Sequence, residues 1–258
     1  MKPFWFPAGD SALLLDFQGF KPTKKNYFAK DEEKVYYSNK VNLISSHLQN
    51  LLNKNKLHGI TEIVPGIASI LIHYDLSLVS YHDVKNKIEL HINNSKNIIK
   101  SKQRLWRIPV LYGGIHGPDL KNLSITSNLT EENLIKIHTS KRLQITIMGF
   151  LPGLGYMSGL DKIFNIPRLC KPRTFVPKGT VAIAMQQTVI YPLNSPGGWH
   201  LIGRTPTIFF DPKRNPNCFA SVGDKLSFKK ISIDEYNEKL MHNSKTNLPK
   251  FTIYNVKD

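Results

Sequence analysis

The chain has 258 residues, 35 basic against 19 acidic, a formal net charge of +16 and 41% hydrophobic residues. That is long enough for two domains and apolar enough for real cores, which excludes global disorder, and no apolar run approaches the roughly 18 residues of a membrane span. The charge brings a nucleic-acid partner into question, but the lysines are spread along the chain, no basic run is interleaved with aromatics, and no zinc-finger, RRM or KH pattern occurs. The basic balance is therefore expected to favour anionic ligands and acidic partners rather than a nucleic-acid groove.

In chain order, the start MKPFWFPAGDSALLLDF is broken by Pro3, Pro7, Gly9 and Asp10, so it lacks the continuous apolar run of a signal peptide. Residues 4–17 read as strand, Gly-Asp turn and strand. A Lys/Asn-rich stretch near 21–35 reads as an exposed loop. Over 38–57, Val41, Ile44, Leu48, Leu51 and Leu52 recur at helical spacing, with Gly59 as a C-terminal cap. Residues 60–74 give strand, Pro-Gly turn and strand. Ser80 is placed to cap a second helix over about 81–100, with Val84, Ile88, Ile92 and Ile99 on one face. Two strand pairs and two helices suggest a split β-α-β, ferredoxin-like unit.

Residues 101–107 read as a polar connector and 107–114 as strand then turn. Thr130, followed by Glu131 and Glu132, opens a short helix ending near His138. Strands then dominate, over 142–150, 180–193, 200–210 and 224–231, with frequent Pro and Gly between them. This pattern indicates a closed β-barrel rather than a parallel α/β sheet. The last twenty-odd residues read as a helix and an irregular tail. The expected division is an α+β domain over 1–104, a barrel over 105–235 and a tail over 236–258. Cys170 and Cys218 stand far apart in no metal-ligand pattern, which fits a reducing cytoplasm and no metal site.

The chemistry-bearing stretches fall within 149–206. GFLPGLGYMSG (149–159), with Gly149, Pro152, Gly153 and Tyr156, is neither a Walker A motif nor a dinucleotide fingerprint, and its glycines allow sharp turning and close approach. PRLCKPRTFVP (167–177) sets Arg168 and Arg173 among stiffening prolines, and a guanidinium can grip a carboxylate or phosphate bidentately. MQQTVIYP (185–192) offers Gln187 and Tyr191, neutral hydrogen-bonding groups. SPGGWHLIGRTP (195–206) brings Gly197, Gly198, Trp199 and Arg204 together. His138 is the candidate general acid or base. Asp119 and Asp161 are isolated and read as turn or cap residues. With no Ser-His-Asp pattern and no paired carboxylates, a small-molecule or anion site is better supported than an unaided hydrolase.

In this order the segments IPVLYGG, GPDL, GFLPGLGYMSGL, PRLCKPRTFVPKGTVAIA, QTVIYPLNSPGGW and LIGRTP resemble the allophanate hydrolase subunit 1 / KipI family, whose members are mostly described as the B-subunit of 5-oxoprolinase (PxpB). GDSALLLDF and EIVPGIASILIHYD extend the resemblance over about residues 4–230. It implies a ferredoxin-like N-terminal domain, a C-terminal cyclophilin-like β-barrel, and work alongside subunits A and C in ATP-dependent cleavage of 5-oxoproline to glutamate. ATP with Mg would belong to the complex, with no cofactor assigned to this chain. The family also includes the carboxyltransferase part of urea carboxylase and a KipI-type inhibitor of a histidine kinase, which are the alternative readings. On the enzyme reading, Arg168, Arg173 and Arg204 would bind anions, Gln187 and Tyr191 would orient the amide, Trp199 would wall the pocket, and His138 would move protons. Met185-Gln186 stand where many relatives carry a Gly-rich pair, and their bulk is expected to narrow the pocket.

Overall fold

The computed structural model describes residues 3–19, 31–93, 103–241 and 251–254. It divides into two compact units, one within Met1–Ser101 and the other within Lys102–Asn255.

In the first unit, β1 (Phe4–Pro7) and β2 (Ala12–Asp16) form one hairpin, and β3 (Ile60–Pro65) and β4 (Ser69–Tyr74) form another. They join in an antiparallel sheet of order β1-β2-β4-β3. Alternation along the strands sends Leu13, Leu15, Ile63, Ile70 and Ile72 to one face. There they pack on Val41, Ile44 and Leu48 of α1 (Asp31–Asn53) and on Val84 and Ile88 of α2 (Tyr81–Asn93). Because β4 lies between β2 and β3, the path β2-α1-β3 is a split β-α-β. The fourth strand is β1, which precedes this path in the chain rather than following α2.

Helix α1 starts at Asp31, ahead of the apolar periodicity that begins near residue 38. Its first turn is acidic, Asp31-Glu32-Glu33, which suits the positive end of the helix dipole. The exposed loop expected over 21–35 therefore fails from residue 31 onward, and its earlier part lies outside the described residues. The cap on α2 is reciprocal: the Asp83 N–H donates to Ser80 Oγ at 3.2 Å, and the Ser80 N–H donates to Asp83 Oδ2 at 3.1 Å. Ile99 lies outside the described residues.

The second unit is a closed seven-stranded barrel. Its strands are β5 (Gln103–Tyr112), β6 (Arg142–Met148), β7 (Gly155–Ser158), β9 (Thr180–Ala184), β10 (Gln187–Ile190), β12 (His200–Arg204) and β13 (Lys225–Lys230). The order β12-β9-β10-β7-β6-β13-β5 closes through β12 on β5, where Gly203 faces Tyr112. A short ribbon, β8 (Arg173–Val176) with β11 (Ser195–Gly197), lies apart from the barrel wall. Helices α3 (Leu120–Ser127), α4 (Glu131–Ser140) and α5 (Ile233–Met241) complete the unit. Thr130 caps α4 as its sequence predicts, accepting the Asn133 N–H at 3.2 Å.

Several expectations need correction. The connector expected over 101–107 is strand from Gln103 onward, held by parallel pairing with β13. The tail expected to be irregular contains β14 (Phe251–Tyr254), which pairs with Gln103–Trp106. The stretch 180–193 is a hairpin rather than one strand, since Met185 (φ 50°) and Gln186 (φ 60°) form its two-residue turn. The turn is tied down by Met185 N–H to Ile166 O at 2.7 Å and Gln186 N–H to Phe164 O at 3.0 Å. Helix α3 and strand β8 carry no periodic signal strong enough to announce them. Among the described residues no helix is long and apolar enough to cross a membrane.

Candidate functional site

The barrel wall separates two cores. Along β9, Val181 and Ile183 point into the lumen with Ile108, Val110, Leu143, Leu226 and Phe228. Their neighbours Ala182 and Ala184 point outward, where Leu154, Val176, Val189, Tyr191, Trp199 and Leu201 form a second cluster. Small alanines leave room on that outer face. There the ribbon β8–β11 and the loop before it enclose a cleft of about 300 Å³, the lower end of the usual range for small-molecule sites. Its floor and sides come from Leu154, Tyr156, Val189, Tyr191 and Trp199, and its rim from Phe150, Arg168, Leu169, Pro172 and Pro196–Gly198.

Local backbone chemistry holds these walls. The Leu169 N–H donates to Gly198 O at 2.7 Å, and His200 Nε2 bonds Pro167 O at 3.0 Å, so the proline-rich loop is fastened to the Gly-Gly-Trp segment. Gly197 is required by space. A Cβ there would lie 2.3 Å from the Tyr191 hydroxyl and 2.9 Å from its Cζ. Trp199 is buried and meets Tyr156 edge-on, ring centroids 5.8 Å apart.

Two phenols reach this cleft. Burial first, then neighbouring Tyr156, pushes the Tyr191 phenol up to about 12 against the opposing charges of Arg168 and Arg173. Burial also raises Tyr156, again opposed by Arg168. Both phenols are therefore protonated at neutral pH and can donate hydrogen bonds to a carbonyl or a developing oxyanion. Arg168 is exposed at the rim and supplies the positive charge. The cleft can hold an apolar-bodied small molecule through one anionic group and one carbonyl oxygen.

The structure gathers Arg168, Tyr156, Tyr191, Trp199, Gly197 and Gly198 of the sequence-predicted set around the cleft. It places the others elsewhere. Gly149 and Gly153 shape the β6–β7 loop. The Gly149 N–H donates to Leu154 O at 3.1 Å, and Gly153 (φ 82°) approaches Phe210 so closely that a Cβ would lie 2.9 Å from the phenylalanine Cβ. Pro152 stands between them. Gln187 is buried, its Nε2 3.3 Å from Ser158 Oγ, and does not orient a ligand here. Met185 and Gln186 sit in the hairpin turn, Met185 against the outer cluster and Gln186 with Nε2 on Leu160 O at 3.0 Å, and neither lines the cleft.

Arg173 and Arg204 are also not on the cleft surface. Arg204 lies near Tyr236, whose phenol burial raises and the Arg204 charge lowers, and burial together with the Arg204 charge lowers the His116 pKa. Arg173 opens β8 of the ribbon, with Nη2 2.6 Å from Asp119 Oδ1. The other Asp119 oxygen accepts the Leu201 N–H at 2.7 Å, and the Asp119 N–H donates to Leu201 O at 3.0 Å. Asp119 stands at the N-cap position of α3, as the cap reading expects, but its carboxylate does not cap the helix and it is not isolated. It ties the GPDL loop, β8 and β12 together. The tie spans residues 54 and 82 positions apart, which local sequence cannot show. Phe150 was also beyond sequence reasoning, being one apolar residue in a Gly-Pro loop.

His138 is the largest correction. It is buried to 1% exposure on the lumen side, where it touches Phe228 and Phe164. Thr188 Oγ1 donates its proton to Ala182 O at 3.0 Å and so accepts from His138 Nε2 at 3.4 Å, leaving Nδ1 to accept the Tyr112 hydroxyl at 2.8 Å. Since Thr188 faces inward and Val189 outward, the sheet stands between His138 and the cleft. Burial alone lowers its pKa to about 3, so it is neutral at physiological pH and cannot reach a ligand there.

A pH test follows from that burial. The unfolded chain takes up this proton near pH 6.5 and the folded chain only near 3. Stability from His138 is therefore full above pH 6.5 and is lost as pH falls from 6.5 towards 3, by at most about 1.4 kcal/mol per unit. Denaturant unfolding of His138→Gln against wild type should show a shallower acid limb across that window; parallel limbs would contradict the assignment.

Known proteins share much of this sequence and fold. The family model described as carboxyltransferase domain, subdomain C and D, matches residues 5–220. A Bacillus subtilis (strain 168) protein named as the B-subunit of 5-oxoprolinase is 33% identical over 238 residues, covering 88% of this chain and 92% of the relative. The crystal structure of a conserved uncharacterized protein from Pyrococcus horikoshii is 33% identical, covers 90% of this chain and 100% of that one, and superposes with a TM-score of 0.50. The K. lactis urea amidolyase structure covers 98% of this chain and 16% of its own, with a TM-score of 0.70 at 15% identity.

Proposed function

The chain belongs to the carboxyltransferase subdomain C and D family, and from that membership we propose that it serves as the B-subunit of a heteromeric 5-oxoprolinase. The observation that carries this reading is the 33% identity maintained over 92% of the Bacillus subtilis relative of that name. The urea amidolyase likeness, at 15% identity, speaks for the fold alone. On this reading the partners are subunits A and C, ATP with Mg acts at the level of the complex, and the chain is inactive alone. The setting is cytoplasmic, the barrel is cyclophilin-like and the N-terminal unit is a ferredoxin-like variant.

The cleft chemistry is compatible with that role. A lactam is unreactive until its oxygen gains a partner that draws electrons from the carbon. The protonated Tyr156 and Tyr191 phenols are donors suited to the lactam oxygen, and Arg168 is suited to the substrate carboxylate. Apolar walls from Leu154, Val189 and Trp199 keep water from the ring. This chain's share of the reaction is then binding, orientation and stabilisation of negative charge, with no proton transfer by His138. The test is to co-purify the chain with subunits A and C and measure ATP-dependent glutamate release from 5-oxoproline. Release that requires all three supports the reading, and an assembled complex that releases none overturns it.

A further inference from the structure

We infer that Phe150 is the specificity-determining residue of the cleft, its ring lying against the flat face of a bound planar amide. The inference rests on the cleft being the substrate site and goes beyond that reading by naming what selects the ligand. Two independent features of Phe150 disfavour it in the fold. Its φ of 70° lies in the left-handed region that a bulky side chain avoids. Its ring is 65% exposed, whereas the next residue, Leu151, packs on the outer core. A glycine here would relieve the backbone and a polar side chain would relieve the exposure.

Of the non-glycine residues with positive φ, Met185 and Gln186 serve a hairpin turn, and Asn55 and Asn128 are of the type that tolerates it. Phe150 has neither reason, and among these described residues it alone lines the cleft. Strain kept at a ligand cleft points to use by the ligand. The chemistry of the cleft specifies that ligand. Its polar groups are two protonated phenols and Arg168, and among the described residues no carboxylate side chain lines it. An occupant therefore presents acceptors: a carbonyl oxygen and an anionic group. Between them lies a flat apolar body for the exposed ring to cover.

The test compares wild type, Phe150→Gly, Phe150→Ala and Phe150→Leu. Direct titration of 5-oxoproline and of 2-pyrrolidinone into the chain gives affinity, thermal unfolding gives stability, and the complex with subunits A and C gives kcat and KM. Phe150→Gly should weaken binding and raise KM at least tenfold, with kcat within about threefold, while leaving the unfolding temperature equal to or above wild type. Phe150→Ala, which keeps the strained Cβ, should unfold below Phe150→Gly, and Phe150→Leu should recover part of the affinity. Unchanged binding in Phe150→Gly, a fall in its unfolding temperature, or a defect confined to assembly of the complex would overturn the assignment. So would failure of 5-oxoproline to bind the wild-type chain, or binding of 2-pyrrolidinone, which lacks the anionic group, as tight as that of 5-oxoproline. Binding without turnover in the assembled wild-type complex counts against the 5-oxoprolinase reading alone.

Discussion

Gly197→Ala should abolish most of the function of the cleft. The added methyl would lie 2.3 Å from the Tyr191 hydroxyl, 2.9 Å from Cζ and 3.1 Å from Cε1. Tyr191 cannot swing aside, because it is 3% exposed and packed within the outer core. Either the ribbon lifts from the barrel wall or the phenol moves, and both displace a proposed hydrogen-bond donor. Overpacking of this kind costs about 1–3 kcal/mol, and a donor misplaced by an ångström costs roughly 100-fold in rate. The measurement is kcat/KM of the complex alongside denaturant unfolding of the chain. Adding Tyr191→Phe removes the closest clash, so the double variant should regain stability without regaining activity. Recovery of both would mean that the hydroxyl has no role beyond filling space.

Asp119→Ala should be the more damaging change to the fold. One carboxylate holds the Arg173 guanidinium and the Leu201 N–H, at 2.6 and 2.7 Å. Deleting it strands a half-buried cation and a buried backbone donor together. Leaving such groups unpaired costs about 1–3 kcal/mol each, and solvent access to Arg173, whose side chain is 32% exposed, brings the expected total to about 2–3 kcal/mol. The denaturant midpoint should fall accordingly. Arg173→Ala added to Asp119→Ala should cost less than the two single changes summed, since the uncompensated charge is then gone. Strict additivity would show that the pair is not coupled.

The parts of this fold legible in sequence are those governed by local rules. The Gly-Asp and Pro-Gly turns between short apolar runs announced the hairpins β1–β2 and β3–β4, and Thr130 with two following glutamates announced α4. The site was legible as a set of stretches, because Gly-Gly-Trp, the Pro-Arg loop and Ile-Tyr-Pro supply most of the cleft wall. Which side of the wall each residue faces was not legible. His138 and Tyr191 are both plausible near a barrel site, yet inward Thr188 and outward Val189 place them on opposite sides of one sheet. Asp119 is the cap-position residue its sequence suggested, but its long-range role was not legible for a related reason: its partners come from strands that only the folded unit brings to it. Phe150 is inconspicuous in sequence because its backbone conformation cannot be read from residue type.

One comparison tests that inside–outside distinction most directly. In the complex with subunits A and C, kcat/KM for 5-oxoproline is measured for Tyr191→Phe, which changes the outer cleft, and for His138→Gln, which changes the lumen. The outer cleft predicts a loss of at least tenfold for Tyr191→Phe, as expected for removing a charge-stabilising donor, with His138→Gln within about threefold of wild type, as expected for a group that touches no substrate. A Tyr191→Phe complex as active as wild type beside a His138→Gln complex that is folded and inactive would contradict it.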